Sequence, residues 1–340
     1  MNEETIEKNE MGILPIGKLL RKMSIPLIIS MFVQVLYGLV DSMYVARLGD
    51  SALTAISLSM PVQYLVVGVG VGIGVGVNSV LSKKLGEQDE KGVRSTSGNG
   101  LLMVWILSIL FIILGIFAME PFYRMQTNIQ EVIDMSVSYS RILCVVSFAA
   151  LHQLLFERLL SSTGKANLTM ISMFIGAVVN IILDPIMIFG WFGLPRMGIS
   201  GAAYATVIAQ TVAAISGLIL NLKKNHDVKF SKKGLKPNRE IVTEIIKIGV
   251  PALRIVAASL VLTTTTQILN GFLQSMGKGT DSFIIAISQA VFLLASAWIL
   301  SLTKSAVLVW LAFPIMEIIR FAMAVVFSVR THRQFIKPIM

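Results

Sequence analysis

Residues 26–57 read PLIISMFVQVLYGLVDSMYVARLGDSALTAIS, an apolar run whose first part, up to Ala46, carries one acid, Asp41, before Arg47 and a small-residue turn with Asp50. A helix needs about 20 apolar residues to cross the ~30 Å of bilayer hydrocarbon. This run meets the requirement over 25–46, and comparable runs recur at 53–82, 97–119, 136–160, 168–190 and 200–222. Three more follow at 251–273, 282–302 and 305–329. Hydrophobic residues fill 55% of the 340 positions and charged residues 14%, with a mean hydropathy of +0.77. Soluble domains carry roughly 25% charged residues, so lipid is the solvent for most of this chain. The expected fold class is an all-α polytopic membrane protein.

The net charge of +10 would suit nucleic acid, but the basic residues sit between apolar runs rather than on one amphipathic face. Positive loops against an anionic leaflet account for them, with the lipid bilayer as partner and no nucleic acid. Lys18, Arg21 and Lys22 precede the first run, Lys83, Lys84, Lys91 and Arg94 follow the second, and Lys165 follows the fourth. The segment KKNHDVKFSKKGLKPNRE (223–240) follows the sixth. By the positive-inside rule the N-terminus and the basic linker 223–250 are cytoplasmic. The linker divides a first lobe, 1–222, of about six spans from a second, 251–340, of about three. Residues 1–23 are polar and acidic before they turn basic, unlike a cleavable signal peptide, so the first span is expected to be retained. Cys144 is the single cysteine, which rules out an intrachain disulfide and a cysteine-based zinc site.

An internal repeat crosses the linker. SYSRILCVV and LLSSTGK, within 138–165, resemble PALRIVAAS and FLQSMGK, within 251–278. Arg141 to Lys165 and Arg254 to Lys278 are both 24 residues apart. Pro26 and Pro251 open the two parts, yet Pro26 to Arg141 is 115 positions and Pro251 to Arg254 is 3. If the halves began equal, the difference, about 112 residues or three spans, has dropped out near Pro251–Ala252.

These segments resemble the MATE (multidrug and toxic compound extrusion) family. PLIISMFVQVLYGLVDSMYVARLGDSALTAIS is similar to the family's first span and following loop, NIILDPIMIFG (180–190) with MGISGAAYATVIAQ (197–210) to the fifth and sixth, and VWLAFPIMEII (309–319) to the last. The resemblance implies a two-lobe helical bundle, with spans one to six and ten to twelve present. It implies an efflux antiporter of the inner (plasma) membrane for small amphipathic or cationic substrates, coupled to H+ or Na+ and without other cofactor. The second part departs from the pattern at Ser288, Gln289, Ala290 and Ala295.

Ionisable residues inside spans are costly to bury and are functional candidates. Asp41 lies 15 residues after Pro26, and Asp184 lies 15 after Thr169. In two outward-running helices both carboxylates therefore sit ~22 Å up, where they can share one pocket and a proton. Asn180 lies one turn before Asp184, and Pro185 frees backbone carbonyls beside it. In the DinF-like branch of the family such aspartates, with an asparagine and a tyrosine, form the first lobe's cation site; Asp41, Asp184, Asn180 and Tyr139 match. Ala202 replaces a hydroxyl residue often found in span six, with Thr206 one turn on, which favours a proton over sodium.

Met31, Gln34, Tyr37, Gln153 and Met173 are candidates for a substrate cavity, since flexible methionines and scattered polar groups suit promiscuous binding. Gly68, Gly70, Gly72, Gly74 and Gly76 lack the context of a phosphate loop and suit close helix packing. Glu317 and Arg320 are expected to form a structural ion pair. His152, His226 and His332 have no metal-ligand spacing. A related lipid or polysaccharide flippase would need a more charged cavity. An intramembrane enzyme would need a metal set or a serine–base pair, neither of which is found. An inert relic of an exporter is the third alternative, and an incomplete second lobe also predicts self-association.

Overall fold

The computed structural model describes residues 16–228, 230–231, 233–301 and 311–336. The start of the expected run 305–329 lies outside them. The described chain is helical: α1 (Ile16–Ala46), α2 (Asp50–Gly86), α3 (Glu90–Phe117), a short α4 (Met119–Arg124), α5 (Gln130–Val145), α6 (Ser147–Ser162), α7 (Ala166–Phe189), α8 (Ile199–Lys224), α9 (Arg239–Ser275), α10 (Gly279–Ser301) and α11 (Ala312–Thr331). Six of these, α2, α3, α7, α8, α10 and α11, are each long and apolar enough to cross a membrane, and α5 with α6 makes a seventh if counted as one broken span. The protein is an all-α multi-pass membrane protein.

Helix α7 shows how lipid replaces water as the solvent. Thr169, Ser172, Gly176, Asn180 and Asp184 recur every three or four residues and are buried, whereas Ile171, Phe174, Val178 and Ile182 on the other face are exposed. Polar and small groups turn inward and large apolar groups outward, opposite to a water-soluble helix. A left-handed Gly190 (φ 77°) ends the helix. The loop then returns so that the amides of Met197 and Gly198 donate to the carbonyls of Met187 and Ile188, at 3.1 Å each. The end of α7 is thereby fixed one turn beyond Asp184.

The run 136–160, expected as one span, is broken. Helices α5 and α6 meet at Val146 (φ −100°, ψ 16°) with a bend of 48°. No proline or glycine marks the break; Val145 and Val146 are β-branched and lose rotamer freedom against the preceding turn.

The glycines of α2 serve two partners. Residues two apart on a helix point about 200° apart, so Gly70 and Gly74 face α6, against Leu151, Leu154 and Arg158, while Gly68, Gly72 and Gly76 face α9, against Leu253, Gly249 and Ile245. Helix α9 runs antiparallel to α2, and Gln267 Nε2 donates to Tyr64 Oη (3.0 Å) farther along.

Helix α9 begins at Arg239, inside the basic stretch 223–250. Asn238 caps it, its Oδ1 accepting from the amide of Glu240 (3.0 Å). The segment before it is docked rather than loose. Asn99 of α3 donates to Lys236 O (3.2 Å) and accepts from Asn238 N (2.9 Å), and Asn225 donates to Leu159 O (3.2 Å).

The sequence repeat reappears in the backbone. Gly164 and Gly277 both adopt positive φ, and the following lysine amides reach back five residues in both turns, Lys165 to Leu160 O (3.0 Å) and Lys278 to Leu273 O (2.8 Å). Beyond the second turn α10 and α11 pack on each other and on α9. The Glu317–Arg320 pair in α11 is buried, at 2.6 Å.

Candidate functional site

Four helices of the first bundle turn polar residues toward one interior space. On α1 Ser30, Gln34, Tyr37 and Asp41 follow a 4-3-4 spacing, so they share a face. Helix α7 contributes Met173 and Asn180, α6 contributes Gln153, and α8 contributes Thr206 and Gln210, one turn apart, while Asp41 and Asp184 stand just beyond the lining. Between them lies a cavity of about 90 Å³. A water needs about 10–15 Å³ of such space, so several fit. Of the residues proposed from the sequence for a substrate cavity, Gln34, Tyr37, Gln153 and Met173 line this space, together with Asn180 and Thr206. The side chain of Met31 lies outside the described residues.

Asp41, Asp184, Asn180 and Tyr139 come together at the end of the bundle away from the linker. Asn180 Nδ2 donates to Asp184 Oδ1 at 3.2 Å. Asp184 is fully buried, Asn180 and Tyr139 nearly so, and Tyr139 lies within electrostatic reach of Asp41, Asp184 and Tyr37. Three oxygens in this group, Asp41 Oδ1, Asn180 Oδ1 and Asp184 Oδ2, are buried without a hydrogen-bond partner. Each such group in hydrocarbon costs several kcal/mol. A bound cation, a proton or a metal ion preferring oxygen ligands, removes that cost. Ala202 is fully buried on α8 and offers no hydroxyl to the group, whereas Thr206 lines the cavity.

Sequence reasoning passed over Glu157 and Arg158. Both stand inside the apolar run 136–160, so the rule that singled out Asp41 would have found them. Glu157 is 6% exposed and its Oε1 accepts from Gln153 Nε2 at 2.9 Å. Arg158 points elsewhere, its stem lying over Gly74 of α2, as adjacent residues on a helix do not face each other. His152 is committed locally: its Nε2 accepts from Trp105 Nε1 (3.0 Å) and its Nδ1 meets Phe148 O (2.7 Å). Among the described residues no cluster of three His, Cys, Asp or Glu side chains could hold a metal ion.

With this geometry in view, the family profile described as MatE matches residues 26–186. The multidrug export protein MepA of Staphylococcus saprophyticus is 30% identical over 256 residues, covering 75% of this chain and 55% of that protein. The probable multidrug resistance protein YoeA of Bacillus subtilis is 29% identical over 232 residues, 67% of this chain and 50% of its own length. The chain thus spans about half the length of these curated relatives. Among solved structures, a MOP superfamily transporter from Pyrococcus furiosus, described as having a binding pocket of reverse polarity, aligns with a TM-score of 0.69 at 25% identity, over 97% of this chain and 68% of that one. An outward-facing multidrug resistance MATE family transporter shares the fold at a TM-score of 0.70 and 24% identity, again over 97% and 68%.

Proposed function

The chain belongs to the MATE family, and from that premise we propose that it descends from, and retains the ion site of, a cation-coupled antiporter that exports drugs and other small amphipathic or cationic compounds across the plasma membrane. The observation that carries this reading is the group of three unpartnered acceptor oxygens, on Asp41, Asn180 and Asp184, beside the cavity that Asn180 also lines. A cation bound there and a substrate in the adjoining cavity compete for the same polar walls, which is the requirement for exchange. Multidrug export by relatives such as MepA supports the substrate class. With Ala202 in place of a hydroxyl, a proton suits the site better than sodium. The charge pattern supports a cytoplasmic N-terminus and linker.

The experiment is efflux of a fluorescent cationic dye from everted vesicles, on this chain and on a hybrid with its second lobe completed from a full-length relative. Asp41→Asn and Asp184→Asn are each expected to abolish proton-dependent efflux in whichever form transports. Unchanged efflux in both single variants overturns the assignment.

The repeat, short by about 112 residues in its second part, supports a second reading on transport itself: the second lobe lacks three spans, and export by the chain alone is impaired.

A further inference from the structure

Resting on the reading of Asp41 and Asp184 as a proton site, we propose that Glu157 is the station through which that site exchanges protons with the linker side of the membrane. Asn180, which donates to Asp184 at the far end, and Gln153, which donates to Glu157 at the near end, line one cavity. Thr169, whose hydroxyl donates to Glu157 O (3.2 Å), sets the height of Glu157 on α7. Asp184 lies 15 residues farther along that helix, about 22 Å at 1.5 Å per residue. That distance is too long for direct transfer.

The gap is lined for a relay. Gln153 holds Glu157 Oε1 and also lines the cavity. Tyr37 lines the same cavity and lies within electrostatic reach of both Glu157 and Asp41, and the space has room for several waters. The station is also rigidly built. The three carbonyls centred on Glu157 each accept from a different helix: Phe156 O from Asn221 of α8 (3.0 Å), Glu157 O from Thr169 of α7 (3.2 Å) and Arg158 O from Asn78 of α2 (3.3 Å). Among the described residues, the titratable or charged groups that act on Glu157 are Arg158, the next residue on its own helix, whose side chain turns toward α2, and Tyr37 from α1; Asn78, Thr169 and Asn221, which come from α2, α7 and α8, do not ionise. In the step itself a proton leaves the Asp41–Asp184 pair, passes along the waters and Tyr37 hydroxyl, and protonates the Glu157 carboxylate. Glu157 then releases it to the linker side, restoring both carboxylates.

The test needs no transport. The full chain is reconstituted in phospholipid vesicles, and the fraction with its linker outward is measured by labelling a Lys233→Cys reporter in a Cys144→Ser background. A pH jump in the bath is then followed by time-resolved infrared spectroscopy of the protonated-carboxyl bands, those of the pair being identified by their loss in Asp184→Asn. In the linker-out fraction Glu157→Gln, which keeps a hydrogen-bonding partner for Gln153, is expected to slow the response of the pair at least tenfold, and Glu157→Asp to restore most of it. A pair that responds at the original rate in Glu157→Gln overturns the relay while leaving the proton site standing. Absence of any band lost in Asp184→Asn overturns the proton site and the relay with it.

Discussion

Gly249 of α9 and Gly72 of α2 meet backbone to backbone, so that a Cβ on Gly249 would collide with the Gly72 carbonyl. The obstacle is main chain and cannot rotate away. Gly74, two residues on, instead faces the flexible stem of Arg158, and Gly38 of α1 has nothing within 4 Å. The three alanine substitutions should therefore rank. Gly38→Ala is neutral or stabilising by up to about 1 kcal/mol, as Ala is the better helix former, Gly74→Ala costs little, and Gly249→Ala costs about 1–3 kcal/mol by overpacking. Thermal unfolding of the purified chain in detergent reads the order. Equal melting temperatures for Gly38→Ala and Gly249→Ala would show that the α2–α9 contact is not close-packed.

Asn99 is fully buried in α3 and joins that helix to the segment preceding α9 through its bonds to Lys236 O and Asn238 N. Asn99→Ala removes the partners of the partly buried Lys236 carbonyl and Asn238 amide, at about 0.5–1.5 kcal/mol each. The effect should be local. Hydrogen exchange is expected to speed up across 233–241 with α7 unchanged, and unchanged protection in 233–241 would show that the segment is held by other contacts.

Particular residues show what was legible in the sequence. Asn180 and Asp184 were readable as one helix face because a spacing of four fixes it, and the bond between them follows. The glycines of α2 announced close packing, but a spacing of two serves opposite faces, so which helices they meet could not be read. Glu157 was missed because a long apolar run outweighed the three charges inside it, Arg141, Glu157 and Arg158. The break at Val146 carries no proline or glycine and is set by packing. The start of α9 was signalled by Pro237 and Asn238, a helix-stop residue followed by an N-cap, but the basic residues around them read as loop.

The order of helices after the linker places the tail on the far side of the bundle. The beginning of α11, at Ala312 and Met316, packs on the end of α10 at Leu293, and its later residue Ala324 packs on Ile285 and Leu273, near the α9–α10 turn. Arg330 and Arg333 then lie opposite the linker, against the positive-inside preference. His332 is exposed, unlike Thr331, and so suits a reporter. In a Cys144→Ser background, His332→Cys is expected to react with an impermeant maleimide in intact cells. Protection in intact cells with labelling after permeabilisation would mean that one of α9, α10 and α11 fails to cross.

The final prediction concerns the shortened second lobe. Alternating access in two-lobe transporters works by rocking two comparable lobes around a central cavity, and here three helices, α9 to α11, follow the linker against eight, α1 to α8, before it. On the deletion reading α9 is a fused helix, its residues up to Pro251 beginning one span of the ancestral lobe and those from Ala252 continuing another. A wall made of so few helices leaves polar residues of the first bundle, Gln34 among the exposed ones, to face lipid, water or a second copy of the chain. Unsatisfied polar groups in hydrocarbon cost several kcal/mol each, so low expression or self-association is expected, read by crosslinking in native membranes. Expressed in an efflux-deficient bacterium, the chain should confer no drug resistance, and insertion of the three spans of a full-length relative between Pro251 and Ala252 should restore it. Proton-dependent resistance from the unaltered chain, at a membrane level equal to that of a full-length relative and lost on Asp41→Asn, would instead establish the shortened lobe as a working design.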